Sequence, residues 1–554
     1  MGSRTTNTAN TKETVSVGEA VVRQLIDDGV RLAFTVPGES FLPILIAAHD
    51  RAPQDFRVIA TRHEGGAGFM AQAVGQLTGT PAACLVTRAV GVANAAIAIH
   101  AARQDSAPLV VLAGQVRTSW RGREAFQEVD LVESFGRLAK FAVEVRSAGD
   151  AAEAVHRACV AAVSGRPGPA LVALPEDVLW EELTPRRPVA ATSAAGPPTI
   201  EQAADVVRRI LRAKDPVIVA GAGITRSSAG TALREFAERT GTPVVASWRR
   251  PDVFPNDHPL YLGMAGPGAP SSVLDRLRRA DCLLAIGTRM SQMTTFGYQI
   301  PTSSATTIVV NVESPLWMDA DVNVAADARA FLDVCVRQLG ATPSPDLPTR
   351  KRNAADRSEY QRLVGVAPSP SPDGLVHPYE AVRQLAARMD QVSVLTTDAG
   401  DFALWAARYL SIPERTRFLG PTSGAMGYAI PAAIGASLAR PAGLAVALVG
   451  DGGAGMTLFE LETAVREGAN LLVIVFDNRM YGTIRTHQEA RAPGKVVATT
   501  LGPVDFAAAA RSLGATAFRA EHESELENVF DQALAAGGVR LVHLRCDPGT
   551  GRPA

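Results

Sequence analysis

Cysteine is scarce: five residues (84, 159, 282, 335 and 546) are scattered through 554, odd in number and with no C-x-x-C pair. This excludes a disulfide framework or a zinc site built on Cys pairs and fits reduced, mostly buried thiols. A charge excess is missing too. Lys and Arg number 55 and Asp and Glu 56, so no field draws the chain to nucleic acid or to an anionic membrane. No apolar run approaches the length of a membrane span. The start, "MGSRTTNTANTKE", lacks the apolar core of a secretion signal. By letter it matches the loose myristoylation pattern, but a disordered polar tail over 1–13 is the expectation. The chain reads as cytoplasmic.

What is present is an ordinary globular composition, 47% apolar and 20% charged. At about 150 residues per domain the length suggests three or four domains. From Ser16 helical and strand patterns alternate: "VGEAVVRQLIDDGV" is amphipathic, while "LAFTVPG", "AACLVT" and "LVVLAG" are short buried strands ending in turns. Such alternation predicts an α/β fold of doubly wound parallel sheets. A Pro/Ala/Ser/Thr-rich stretch, "TPRRPVAATSAAGPPT", reads as a linker, and a second α/β unit follows with "PVIVAGAG", "PVVAS", "CLLAIG" and "TIVVNV". A second linker contains "TPSPDLPTRKRNAADRSEYQ", whose "RKR" reads as a solvated run. The third unit carries "VSVLTTDAG", "LAVALVG", "LLVIVFDN" and "VRLVHLRC". The expected domains span 14–182, 198–341 and 375–550.

One stretch, "GDGGAGMTLFELETAVREGANLLVIVFDN" (Gly450 to Asn478), carries the chemistry. "LAVALVG" is a continuous apolar run, a strand buried on both faces, and it delivers Asp451 into a knot of glycines. Glycines let a backbone approach a ligand closely and turn its amides toward it. A carboxylate beside such a phosphate cradle needs a cation between them, and magnesium takes one or two side chains plus phosphate oxygens. Asn478 ends the next strand, 27 residues beyond Asp451. Neighbouring parallel strands end side by side, so the two can share one cation. Singly, each has a plain alternative as a turn aspartate or a left-handed asparagine.

This stretch resembles the thiamine diphosphate motif of the pyruvate decarboxylase/acetolactate synthase superfamily, with Asp477-Asn478 where the family usually has Asn-Asn. The resemblance implies that Asp451, Asn478 and the Met480 carbonyl hold Mg²⁺ while Gly452 and Gly453 meet the diphosphate. "TRHEGGAGFMAQAVGQLTG" resembles the family segment whose glutamate protonates the cofactor's aminopyrimidine from the partner subunit, which puts Glu64 in that role. "TSGAMGYAIPAAIGA" places Met426 beneath the bent cofactor, and "DAGDFALWAA" places Asp401 and Phe402 near the diphosphate. The match runs along nearly the whole chain as pyrimidine-binding, central and diphosphate-binding domains. It leans toward acetolactate synthase, in which "REAFQEVD" sets Phe126 and Gln127 at the cofactor and substrate.

The chain also departs from that branch. The family's "SGPGATN" is here "TRAVGVAN", which keeps Asn94 at the cofactor but adds Arg88. Glu176 stands where a lysine is usual, His487 where a tryptophan selects the second keto acid, and Glu39 follows "PG". Arg88 is suited to clamp a carboxylate, and His487 and Glu39 to exchange protons. Each has a plain alternative as surface Arg, loop His or turn Glu. The central domain resembles a flavin-binding one, but its acidic pair is replaced by Asn311 and Glu313; a non-redox FAD and an empty structural domain are equally expected.

The resemblance thus implies a thiamine diphosphate- and Mg²⁺-dependent 2-oxo acid decarboxylating carboligase. It would act on a 2-oxo acid and a carbonyl acceptor, as a homodimer or homotetramer with active sites between subunits. A plain decarboxylase, a C–C lyase or hydrolase, and a non-catalytic cofactor-binding subunit are the alternatives.

Overall fold

The computed structural model describes residues 14–184, 196–313, 317–340 and 346–553. The tail over 1–13 and most of the first linker lie outside these residues. The chain divides into two compact units. The first gathers most of the chain up to residue 192, and the second holds 193–554 together with 72–79 and 104–106.

The first unit is built on a six-stranded sheet in the spatial order Arg57–Ala60, Leu32–Thr35, Ala82–Thr87, Leu109–Gln115, Pro169–Pro175, Phe141–Glu144. Every pairing is parallel. Its central strands are wholly buried, because helices cover both faces; one face packs Val21, Leu25, Phe41 and Val155 against Val110 and Val172. A two-stranded antiparallel pair, Val15–Ser16 with Glu182–Leu183, ties the start of the unit to its end.

The second unit contains two further six-stranded parallel sheets. The central one runs Tyr261–Met264, Val244–Ala246, Pro216–Ala220, Cys282–Ile286, Thr306–Asn311, Val322–Ala325. In order of appearance along the chain this is 3-2-1-4-5-6, the dinucleotide-fold order. The last sheet runs Arg417–Leu419, Val392–Thr397, Leu444–Gly450, Leu471–Asp477, Val539–Arg545, Thr516–Ala520. Its order, 2-1-3-4-6-5, is also that of the first unit's sheet. In both sheets the order reverses between the first and third strands, and ligands of open α/β sheets sit at that reversal.

The second linker differs from its expectation. Residues Leu347–Val364 form a helix, capped by Asp346, whose side chain accepts from the Thr349 amide at 2.9 Å. Arg350 and Lys351 of "RKR" are exposed, as expected, while Arg352 reaches Asp215 at 3.2 Å.

Candidate active site

In the last sheet, Leu444–Gly450 and Val392–Thr397 are the two strands at the reversal. Buried apolar runs carry them to their ends, where Asp451 opens the short helix Asp451–Thr457 and Asp398 enters the turn before the next helix. The glycines after Asp451 are demanded by space. A Cβ on Gly453 would lie 2.2 Å from Asp398 Oδ2, and one on Gly452 would lie 2.6 Å from the Tyr481 ring and 3.3 Å from Met426 Cε. Met426 therefore lies against the glycine loop. Asp451, Gly452, Gly453, Met426 and Tyr481, with Asn478 and Met480, line a cavity of about 240 Å³.

Asp451 is buried, and its Oδ2 has no hydrogen-bond partner among the described residues. Burial and the charge of Asp477 hold its carboxyl well above the usual range. Asn478 Oδ1 accepts the Met480 amide at 3.2 Å, which leaves a second lone pair free. One orphaned carboxylate oxygen beside an amide oxygen is a set that fits a hard cation completed by phosphate. No group of three or more His, Cys, Asp or Glu side chains is placed to hold a metal among the described residues. A site of this composition requires none.

Asp401 and Phe402 begin the helix Asp401–Tyr409 at the same edge. Asp401 accepts from Thr483 at 2.9 Å and Thr486 at 3.3 Å, which ties the loop after the first strand to the helix Gly482–Arg491. Phe402 stacks on Phe476 with centroids 5.3 Å apart. His487, on that helix, is exposed.

The sequence pattern missed two buried features. Asp398 accepts the amides of Gly427 at 2.8 Å, Ala399 at 3.0 Å and Tyr428 at 3.3 Å, and burial pushes its carboxyl up to about 6. Its signal was an acid at the end of the strand beside that of Asp451. Asp477 accepts from His543 at 3.1 Å and from the Arg479 amide at 3.0 Å. That contact with the imidazole, from the neighbouring strand, helps to hold the Asp477 carboxyl below the ordinary range despite its burial.

In the first unit the corresponding reversal lies between Leu32–Thr35 and Ala82–Thr87. Glu64, 8% exposed, opens the helix Glu64–Thr78, and its Oε2 accepts from the Asn94 side-chain amide at 2.9 Å. Arg88 opens the helix Arg88–Asp105 with φ of 44°, a left-handed conformation costly for a side chain of this size. Its guanidinium is buried between Glu39 at 3.1 Å and Glu176 at 3.2 Å. It also donates to the Phe126 carbonyl at 3.4 Å, and the Gln127 carbonyl accepts the Ala89 amide at 3.4 Å. The structure thus gathers Glu39, Arg88, Phe126 and Gln127 at one edge. Both flanking carboxylates already balance the Arg88 charge. Phe126 is 72% exposed.

In the central sheet the glycines of "AGAG" and "IGTR" let two loops press together: a Cβ on Gly223 would stand 2.5 Å from Gly287 Cα. Asn311 donates to the Thr288 carbonyl at 2.9 Å and accepts the Val312 amide at 2.9 Å.

Three family models match the chain in order. They are the N-terminal binding domain of thiamine pyrophosphate enzymes over 15–134, the central domain over 203–334, and the C-terminal binding domain over 398–544. Among curated relatives, an acetolactate synthase from Mycobacterium avium is 31% identical, covering 94% of this chain and 86% of its own length. The large subunit of acetolactate synthase isozyme 1 from Escherichia coli is 30% identical, covering 98% and 95%. A probable acetolactate synthase large subunit from Methanocaldococcus jannaschii is 29% identical over 97% and 92%. With a crowded run of glycines and a buried aspartate at the strand ends of the last sheet, and a buried glutamate beside the first, the chain belongs to the thiamine pyrophosphate enzymes, in their acetolactate synthase-like group.

Proposed function

We propose that the protein is a thiamine diphosphate- and Mg²⁺-dependent decarboxylating carboligase that joins the acyl part of a 2-oxo acid to a carbonyl acceptor. The observation that carries this reading is the buried Asp451 Oδ2, without a hydrogen-bond partner among the described residues, in one cavity with Asn478, Gly452 and Gly453. Asp451, Asn478 and the Met480 carbonyl would hold the magnesium, and the backbone of Gly452 and Gly453 would receive the diphosphate. Met426 would support the bend of the cofactor, and Asp401 and Phe402 fix the floor beside it. When bound, thiamine diphosphate supplies a carbon nucleophile and a sink for the electrons released as CO₂ departs.

The chain's own part is to place charges and protons. Glu64 carries the proton for the aminopyrimidine, and Asn94 aims its carboxyl. Phe126 and Gln127 border the reacting groups. Arg88 holds Glu39 at the crevice, and His487 and Glu39 supply or take protons there. Glu64 and Asp451 would meet across subunits, which makes the working form a homodimer or homotetramer in the cytoplasm. The three sheets are read as the pyrimidine-binding (14–182), central (198–341) and diphosphate-binding (375–550) domains. The inward use of Asn311 favours a structural central domain, with non-redox FAD as the second reading; flavin absorbance released on denaturation separates them.

The deciding experiment incubates purified protein with thiamine diphosphate, Mg²⁺ and pyruvate, following CO₂ and condensed product by mass spectrometry. CO₂ with acetolactate or acetoin supports the proposal. CO₂ with free aldehyde alone would make it a plain decarboxylase. No CO₂ from a panel of 2-oxo acids, with the cofactor bound, would overturn it.

A further inference from the structure

Two consecutive arginines on the loop after Val244–Ala246 of the central sheet are buried, and they face opposite ends of one segment. Arg250 pairs with Asp105 at 2.9 Å and reaches the Gly420 carbonyl at 3.4 Å. The same Asp105 oxygen accepts both the amide of Thr422 at 3.0 Å and its hydroxyl at 2.8 Å. Gln72 donates to the other oxygen at 2.8 Å. Arg249 donates to the Asp398 carbonyl at 3.0 Å, while the Asp398 carboxylate takes the amides of Gly427 and Tyr428. Between these two aspartates lie residues 422–428, which carry Met426.

The arrangement is costly. Arg249 has φ of 58°, and its Nη1 has no partner among the described residues. A buried charge is retained only where its surroundings over-determine it, and a buried Arg–Asp pair adds little to stability compared with an apolar replacement. Simple packing would be better served by leucine or methionine at both positions. What the pair adds is geometry: each aspartate is fixed by an arginine and in turn fixes one end of the segment.

We propose that Arg249 and Arg250 are positioning residues that brace the segment 422–428 at both ends, through Asp398 and Asp105, and so hold Met426 against Gly452 before cofactor binds. The inference rests on the reading of Met426 as the support of the bent cofactor.

The test uses full-length protein, with and without thiamine diphosphate and Mg²⁺, in Arg249→Met, Arg250→Met, Arg249→Lys and Thr422→Val. Two quantities are measured: amide hydrogen exchange resolved to single residues, and cofactor Kd by calorimetry. In the cofactor-free protein, Arg249→Met is expected to speed exchange at Gly427 and Tyr428, and Arg250→Met at Thr422, by about tenfold or more. The central strand Cys282–Ile286 keeps its protection. Cofactor Kd rises by about tenfold, and Arg249→Lys recovers part of it. If a methionine variant does not fold, Thr422→Val, which removes one donor to Asp105, and Arg249→Lys carry the test. Unchanged exchange at 422, 427 and 428 with unchanged Kd, or loss of protection spread evenly over the central strands, would overturn the proposal. If wild-type protein binds no thiamine diphosphate but the exchange pattern responds as stated, the brace stands and the cofactor reading falls.

Discussion

The side-chain amide of Asn94 donates to Glu64 Oε2 at 2.9 Å, a contact between the first residue of the helix Glu64–Thr78 and the second turn of the helix Arg88–Asp105 that engages one oxygen of a buried carboxyl. Fixing one oxygen of a carboxyl sets the direction in which the other can hold a proton. We predict that Glu64→Gln slows exchange of the cofactor's C2 proton by about a hundredfold or more while cofactor binding persists. Asn94→Leu keeps the carboxyl but frees it, and slows exchange by about tenfold. Deuterium exchange followed by NMR reads both. A wild-type rate in Glu64→Gln would remove the residue from its assigned role.

A pH dependence follows from Asp451. Its carboxyl is raised by burial and by Asp477, so the metal-free folded chain holds a proton there that the unfolded chain has already lost. Folding stability without metal therefore falls as pH rises above the ordinary carboxylate range toward the raised value. Magnesium needs the ionised form and competes with that proton. The expected result is that Mg²⁺ with thiamine diphosphate raises Tm far more at pH 8 than at pH 5.5, and that Asp451→Asn abolishes the difference. Equal shifts at both pH values would contradict it.

Arg88 between Glu39 and Glu176 gives a prediction about charge. Glu39→Gln removes one of its two counter-ions and leaves a partly uncompensated guanidinium at the crevice. Anions should then inhibit more strongly, with Ki for a simple carboxylate lowered by about three- to tenfold at low salt. Arg88→Ala should show no such anion sensitivity. Inhibition titrations with acetate across ionic strengths decide the matter, and an unaltered Ki in Glu39→Gln would place the pair outside the substrate's reach.

Two glycines of the helix Asp451–Thr457 should respond oppositely to alanine. A Cβ at Gly453 would stand 2.2 Å from Asp398 Oδ2, whereas at Gly455 no heavy atom comes within 4 Å. Gly453→Ala is expected to cost about 1–3 kcal/mol and most of the cofactor affinity. Gly455→Ala should be neutral or stabilising by up to about 1 kcal/mol. Denaturant melts of the two variants, side by side, test the crowding directly.

The strands named from the sequence are buried on most of their length, and six that it left unmarked share one position. Arg57–Ala60, Phe141–Glu144, Tyr261–Met264, Val322–Ala325, Arg417–Leu419 and Thr516–Ala520 are the outermost strands of their sheets. They are short, most are only partly buried, and nothing requires an unbroken apolar run of them. The helix Leu347–Val364 escaped because it is polar all round. It is held by Tyr360, which packs against the central core, and by single long-range bonds such as Asn353 to the Gly241 carbonyl at 2.7 Å and Arg357 to the Tyr261 carbonyl at 2.6 Å. The metal pair could be read because it lies within one β-strand, helix and β-strand. The grip of Arg249 on Asp398, 149 positions apart, has no local periodicity to reveal it.

The identical strand order of the first and last sheets has a consequence for how such a protein diversifies. Each scaffold carries its candidate site residues on the loops at the strand ends, while its interior strands are buried on both faces. A library confined to positions 39 and 126–127 is predicted to alter ligand preference while leaving the interior strands untouched, whereas position 88, buried between Glu39 and Glu176, draws its neighbours in with it. The same number of changes spread along Leu109–Gln115 or Leu471–Asp477 would be spent on folding. Geometry thus partitions the tolerance to change: the strands answer for folding, and their tips for what is bound.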